Sequence, residues 1–407
     1  MKLCGLITEY NPFHNGHLYH LNEARRVSGA QAVVAVMSGH FLQRGEPAVM
    51  DKWTRAKLAV DAGVDLVIEL PTYFSTSSAE GFALGAVALL NRLGVESLVF
   101  GSESGDVGAL NNVAKLIDSP DAVYREILQE SLDEGEGYHI ARSKAIEASI
   151  GHHHTVDFKS NNILGIEYLR AINHLNSSIK PLTIKRIKNE YSEKAIHSDI
   201  ASATAIRELL KQRPIDWDLL KTVVPQSTYN GLLAYGHYTS FDDFMVLFNA
   251  IALREGASGL KNIRDMSEGL ENKILANLTH IGSLSDMAQS IKSKRYTLTR
   301  IQRIMLSSLL NIKPIEKEEA LKSSDYARIL AFNERGSQAI RDIKKNSDLV
   351  VLTNLARDLK KYRKSNALID LDLLATGLYA QVNHSITMQS DYVTKPYSCM
   401  MYTKKDT

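Results

Sequence analysis

Cysteine is nearly absent: only Cys4 and Cys399 occur in 407 residues. Cys4 lies in an apolar run that reads as a buried strand and Cys399 lies far along the chain, so no disulfide framework is expected. That favours a reducing, cytoplasmic setting. Long apolar runs are missing too; none approaches the roughly 20 residues of a membrane-spanning helix. Met1-Lys2-Leu3-Cys4-Gly5-Leu6-Ile7 carries one basic residue and a very short apolar stretch, which does not read as a signal peptide. Nor does one sign of charge dominate. The 48 Lys and Arg against 46 Asp and Glu leave a net charge of +2. The total therefore demands no nucleic-acid partner, and local clusters carry the information. Composition is that of an ordinary soluble globular chain, 44% hydrophobic and 23% charged. At about 100–200 residues per domain, two or three compact units are expected.

What is present is alternation. Leu3–Thr8, Ala32–Met37, Asp65–Leu70 and Ser97–Phe100 read as buried strands, with helices over His17–Val27, Lys52–Ala62 and Ala79–Leu93 between or after them. Asn111–Ser149 reads as a polar helical excursion. Asn161–His174 (helix), Leu182–Ile187 (strand) and Ala203–Leu210 (helix) resume the pattern. Continuous apolar strands alternating with helices predict an open parallel α/β sheet. Beyond Pro214 the alternation stops. Phe244–Arg254, Ser267–Leu278, Ser285–Ser293 and Arg300–Leu310 carry helix-period apolar residues, and 321–379 adds one strand-like run, Asp348–Thr353. The predicted organisation is an α/β domain over 1–213 and a mostly helical region over 214–407.

In such a sheet, ligands bind beyond the carboxyl ends of the strands. The first turn there is Glu9-Tyr10-Asn11-Pro12-Phe13-His14-Asn15-Gly16-His17. Gly16 allows backbone to approach a ligand closely. The helix opening near His17 offers unpaired N–H groups and its positive dipole end to a phosphate. His14 and His17 flank the glycine, where two imidazoles could donate hydrogen bonds to charge growing on a phosphate. The plainer alternative is a turn with two incidental histidines. A second candidate is Ser202-Ala203-Thr204-Ala205-Ile206-Arg207. Ser202, Thr204 and Arg207 would make a compact site for the outer phosphates, although hydroxyls before an apolar helix are also ordinary caps.

These residues resemble a known group. Asn11–His17 is similar to the HxGH signature of the nucleotidyltransferase superfamily, and Ser202–Arg207 to its second signature, with Ala203 where a hydroxyl is common. A narrower resemblance spans most of the chain: GLITEYNPFHNGHLYHL from Gly5, VAVMSGHFLQRGEPAVMDKWTRAKLAVDAGVDLVIELP from Val34, FGSE at 100–103, KSNNILGIEYL at 159–169 and KRYTLTRIQRIML at 294–306. By these runs the chain is identified as a member of the bacterial tRNA(Met) cytidine acetate ligase family. The resemblance implies a Rossmann-like open parallel sheet with a nucleotidyltransferase site, followed by a mostly α-helical C-terminal region that binds tRNA. It implies ATP, with Mg²⁺ on its phosphates, as cofactor and substrate, and acetate and elongator tRNA(Met) as partners. Acetate would attack the α-phosphate, and the amine of the wobble cytidine would then take the acetyl group to give N4-acetylcytidine. Carried over position by position, ATP lies along Ile7, Thr8, Glu9, Tyr10, Asn11, Pro12, Phe13, His14, Asn15, Gly16, His17, Leu18, Tyr19 and His20. Gly101, Asn161 or Asn162, and Arg186 add contacts.

Other features admit two readings. Asn161 and Asn162 could be helix caps, and Arg186, beside Lys185 and Lys188, a solvated edge. Ser38, Gly39 and His40 follow the second strand and are expected to border the acetate pocket. Lys52 and Arg55 could reach phosphates or form a solvated face. His152-His153-His154 invites a metal reading, but adjacent histidines in one loop point apart and no Cys supports them. Lys292, Lys294, Arg295, Arg300 and Arg303 cluster around Tyr296; Arg357, Lys360, Lys361, Arg363 and Lys364 cluster around Tyr362. Either could attract an RNA backbone, with the aromatic ring stacking a splayed base, or be a solvated helix face. Two competing functions share much of this: an adenylyltransferase acting on a small cofactor precursor, and a non-catalytic RNA-binding protein that holds ATP. No protein partner is evident.

Overall fold

The computed structural model describes residues 1–150, 159–186, 201–267, 269–278, 282–362 and 366–400. The His152–His154 run, Lys188, Arg363 and Lys364 lie outside the described residues.

Five parallel strands form the core of the sheet: β1 (Leu3–Thr8), β2 (Ala32–Ser38), β3 (Leu66–Leu70), β4 (Ser97–Ser102) and β5 (Lys180–Lys185). Every residue of β2 and β3 is buried, as expected of strands covered on both faces. Helices Asn15–Ser28, Lys52–Asp61, Ala79–Arg92 and Glu334–Asn346 provide that cover, and Ser160–His174 packs on β4. The sheet order is β5-β4-β1-β2-β3, so β1 sits where the strand order reverses. Its carboxyl end therefore opens into the crevice between β1 and β4, where such sheets hold ligands. Among the described residues β5 lies at the sheet edge, with one buried residue, Ile184. It lies two residues earlier than expected, because its alternating pattern gave a weak apolar signal.

The region after 213 is mostly helical, but it contributes strands to the same sheet. β6 (Tyr326–Asn333) pairs antiparallel with β3, and β7 (Val350–Leu352) and β8 (Tyr397–Cys399) pair parallel with β6. Among the described residues the sheet is thus eight-stranded and mostly parallel, and it crosses position 213. β7 answers the expected run Asp348–Thr353. β6 was hidden because an eight-residue apolar run between helices has no periodicity to tell it from a buried helical segment. One continuous apolar cluster joins residues of β2 and β3 to the helices Met245–Leu260, Leu284–Ile291 and Leu298–Leu309 and to β6.

Candidate active site

The turn after β1 builds its own helix start. His14 has extended backbone (φ −140°) and caps the helix Asn15–Ser28. Its Nδ1 accepts from the Gly16 N–H at 3.0 Å, and the Nδ1 of His17 accepts from the His14 N–H at 3.3 Å. The two histidines thus form a reciprocal capping box of the kind Ser and Glu usually supply. Because each Nδ1 is an acceptor, each ring carries its proton on Nε2 when neutral. Neutrality follows from the surroundings. Burial presses His14 down to about 3, with Arg186 and Arg207 adding to it. Burial, then His14, His20 and Arg186, hold His17 well below the usual imidazole range. His20 falls to about 4, through burial and then Arg186. Two uncharged Nε2–H donors therefore stand at the positive end of a helix at neutral pH.

The second motif meets the first directly. Ser202 caps the helix Ala203–Lys211, its Oγ accepting from the Ala205 N–H at 3.1 Å. Arg207 donates to the Asn11 carbonyl at 3.2 Å and to the Thr204 hydroxyl at 3.2 Å. Two helix N-termini, separated by almost 190 residues of sequence, thus face one cavity of about 710 Å³. Ile7, Thr8, Glu9, Tyr10, Asn11, His14, Gly16, His17, Tyr19, His20, Gly101, Asn161, Arg186, Ser202, Thr204 and Arg207 all line it. Arg186 donates to Asn161 at 3.2 Å, and the Asn161 amide donates to Glu103 at 2.7 Å. Gly101 lies beneath the Arg186 stem, where an added Cβ would meet Cγ at 3.5 Å. Among the described residues, Asn11 Nδ2 and His20 Nε2 are buried without a hydrogen-bond partner, a cost that a bound polar ligand removes.

Five expected contacts stand behind the cavity wall. Phe13 is buried against Tyr10 and His17, with ring centroids 4.7 and 5.6 Å apart. Pro12 is buried in the turn, joined to Asn11 by a cis peptide. Asn15 faces away and donates to the Thr222 carbonyl at 3.0 Å. Leu18 is half-buried and packs against the apolar cluster that includes Leu6 of β1. Asn162 is fully enclosed, its Oδ1 accepting from the Glu103 N–H at 2.9 Å. Of the Asn161–Asn162 pair, only Asn161 lines the cavity.

The expected acetate-pocket residues are elsewhere. Ser38, Gly39 and His40 are buried and do not line the cavity. His40 stacks near Tyr379, centroids 4.5 Å apart, and shares a 3.3 Å contact with Thr376. Neither reading of Lys52 and Arg55 holds, since both are enclosed. Arg55 donates to the carbonyls of Glu9, Ser38, Gly39 and Met50, tying the ends of β1 and β2 together. Lys52 pairs with Glu69 at 2.8 Å and with Asp391 at 2.9 Å, and Arg328 pairs with Asp391 at 2.9 Å. Nearby, burial, then the Glu69 charge, pushes Asp372 up to about 7. Asp391 is held at about 2; burial works against this, but Lys52 and Arg328 prevail.

The basic clusters also divide. Tyr296 is buried, with the Arg295 and Arg300 guanidiniums 5.5 and 5.2 Å from its ring centre, so it cannot stack a base. Tyr362 is buried and its hydroxyl bonds Asp325. Lys292, Lys294 and Arg295 are exposed, whereas Arg303 lines the cavity with Thr297 and Thr299. Sequence reasoning also missed Gln43, Arg44, Ala79, Phe82, Leu164 and Tyr168 on the cavity wall. Gln43 and Arg44 could have been found, since they follow β2 on the ligand side of the sheet.

The family model for HIGH nucleotidyl transferases matches residues 1–392. A tRNA(Met) cytidine acetate ligase of Clostridium perfringens is 41% identical over 409 residues, covering 97% of this chain and 99% of the relative. One of Acetivibrio thermocellus is 41% identical, covering 93% and 94%. The crystal structure of Thermotoga maritima TmcAL without ligand superposes with a TM-score of 0.89 at 34% identity, covering 98% of this chain and 100% of that one. The same protein bound with alpha-thio ATP gives 0.88. The chain belongs to the tRNA(Met) cytidine acetate ligase family of HIGH nucleotidyl transferases.

Proposed function

We infer that this protein activates acetate with ATP and transfers the acetyl group to the wobble cytidine of elongator tRNA(Met). In the first step an acetate oxygen attacks the α-phosphorus, the bond to the bridging oxygen breaks, and pyrophosphate leaves. Acetyl-adenylate remains. In the second step the exocyclic amine of cytidine attacks the acetyl carbon, AMP leaves with the bonding pair, and the amine gives up a proton. The product is N4-acetylcytidine.

The observation that carries this reading is the meeting of the two helix N-termini through Arg207. His14 and His17 donate Nε2–H to phosphate oxygens, Arg186 and Arg207 supply fixed positive charge, and Ser202 and Thr204 supply hydroxyls. Such groups work by position and preorganised charge, with no protein nucleophile. Mg²⁺ fits as a companion of the nucleotide. Among the described residues no group of three or more His, Cys, Asp or Glu could cage a metal, and Glu9 is the one acid on the cavity wall. The ion would be held mainly by phosphate oxygens and supply charge neutralisation there. Among the described residues no helix is long and apolar enough to cross a membrane, and the proposed work on tRNA belongs in the cytoplasm.

The test is isotope exchange between pyrophosphate and ATP. Exchange that depends on acetate supports this reading. Exchange driven by a cofactor precursor would favour a small-molecule adenylyltransferase, and none with any acyl or phosphate acceptor would favour a non-catalytic binder.

A further inference from the structure

The cavity has a second half that the nucleotide motifs do not account for. One wall is apolar, made by Ala79, Phe82, Ile163, Leu164 and Tyr168. The facing rim is polar and basic: Gln43 and Arg44 from the loop after β2, and Thr297, Thr299 and Arg303 from the helix Leu298–Leu309 and its cap. These two pieces are locked together. Gly45 has φ +81°, and a Cβ built on it would lie 2.4 Å from the Arg303 backbone nitrogen. Only glycine lets the loop approach the helix so closely. Gln302 then bonds Glu46 at 3.2 Å, and Glu46 lies 3.8 Å from Arg207.

Among the described residues Arg303 makes no ion pair within 4 Å, and Asp265 is the acid whose charge reaches it. The Arg303 Nε is buried with no hydrogen-bond partner among the described residues. Burial lowers its affinity for a proton, opposed by Asp265 and reinforced by the nearby guanidiniums of Arg264 and Arg300. An arriving anion would relieve both the crowding of positive charge and the unmade hydrogen bond. The same short segment carries exposed Lys292, Lys294 and Arg295 outside the cavity. Basic groups therefore run from the surface to the cavity rim, which suits a chain of phosphates better than a single small anion. The apolar wall offers a face on which a splayed pyrimidine can pack.

We propose that Arg303, on the rim it shares with Arg44, binds the backbone phosphate flanking the cytidine that receives the acetyl group, seating its base against the half-exposed apolar wall at Ala79, Ile163 and Leu164. This rests on the acetate ligase reading above. The helical region then contributes to the reaction chamber itself and is more than an external platform.

The experiment pairs Arg303→Met and Arg303→Lys with tRNA in which either phosphate flanking the target cytidine is replaced, one at a time, by an uncharged methylphosphonate. Acetyl transfer and acetate-dependent pyrophosphate exchange are both measured, and thermal melting checks the fold. With the wild-type protein, one of the two replacements should lower kcat/KM for tRNA by about 10–100-fold, the range for a hydrogen bond to a charged group. Arg303→Met should show a similar loss with ordinary tRNA and little further loss with that modified tRNA. Arg303→Lys should recover part of the loss. Losses in the exchange reaction should be smaller than those in transfer. Additive losses from the variant and the modified phosphate would overturn the proposal. So would a rise in the acetate KM matching the tRNA defect, which would make Arg303 a carboxylate ligand. Unchanged tRNA kinetics would also overturn it. Absence of acetate-dependent exchange in the wild type would instead overturn the underlying reading of function.

Discussion

The His17 ring accepts the backbone N–H of His14 at 3.3 Å while the two imidazoles lie against each other, centroids 3.8 Å apart and planes tilted by 30°. The helix cap and the proposed phosphate donors are therefore the same side chains. Removing either changes the helix start and the chemistry together, so the informative comparison is between alanine and a residue that can still cap. His14→Ala should lower acetate-dependent pyrophosphate exchange by about 10²–10³, the cost of one well-placed donor. His14→Asn should restore thermal stability but not the rate. An asparagine variant with near wild-type exchange would show that the imidazole serves only as a cap.

Because both rings are neutral donors, exchange should show no titration near pH 6.5 that belongs to them. Stability should depend on pH in one direction. Histidines depressed in the fold, His14 to about 3 and His20 to about 4, favour folding fully above the unfolded value of about 6.5. That contribution is lost as pH falls through 6.5 toward 4, since the unfolded chain then binds more protons. Denaturant midpoints between pH 7.5 and 4.5 check this. His20→Gln should fall less steeply than wild type; an identical slope would remove His20 from the account.

Arg207 holds three things at once, the Asn11 carbonyl, Thr204 and the Glu46 charge. Arg207→Ala should weaken ATP use more than Ser202→Ala, since a guanidinium can bind two phosphate oxygens and a hydroxyl one. Equal ATP affinity in wild type and Arg207→Ala, by calorimetry, would make this helix start purely structural.

On the outer surface, Lys294→Ala combined with Arg295→Ala should reduce tRNA affinity while acetate-dependent exchange persists. For single-stranded contacts each lost phosphate contact flattens the slope of log affinity against log salt by about 0.7. Unaltered tRNA binding across a salt series would mark these two as a solvated face. Arg300 and Arg303 do not suit this test, since Arg300 is bonded to Ser267 at 2.8 Å and Arg303 lines the cavity.

Lys52 is enclosed between Glu69 and Asp391, so Lys52→Met removes the nearer cation from Glu69 and leaves Arg328 to face both buried carboxylates. Breaking such a pair from one side costs about 3–5 kcal/mol. The melting temperature should drop sharply, and Asp391→Asn added to Lys52→Met should recover part of it. A Lys52→Met protein as stable as wild type would mean that Arg328 alone balances both acids.

Much of this was legible in the sequence because the signals were local. Apolar runs marked β1 to β4, and Asn11–His17 announced its turn by its place after the first strand. Ser202–Arg207 was recognisable as a helix start, though its meeting with Asn11 was not. What could not be read depended on distant partners. Lys52 and Arg55 sit on a helix whose sequence looks half polar, and only Glu69, Asp391 and the carbonyls of β1 and β2 explain their burial. Tyr296 looked like a base-stacking ring amid basic residues, yet the core claims it. Arg303 looked like one surface cation among five, and only the packing of its helix against the Gly45 loop shows that it belongs to the cavity wall.

The antiparallel pairing of β3 with β6 sets an order of events during synthesis. β3 ends at Leu70 and β6 begins at Tyr326. At about 5–20 residues per second, a ribosome takes roughly 10–50 s to deliver the missing neighbour. Throughout that interval an apolar strand has one row of amide and carbonyl groups open to any other strand it meets. The growing chain thus has a window in which self-association competes with folding, and a chaperone that shields strand edges would act on it most strongly before residue 333 emerges.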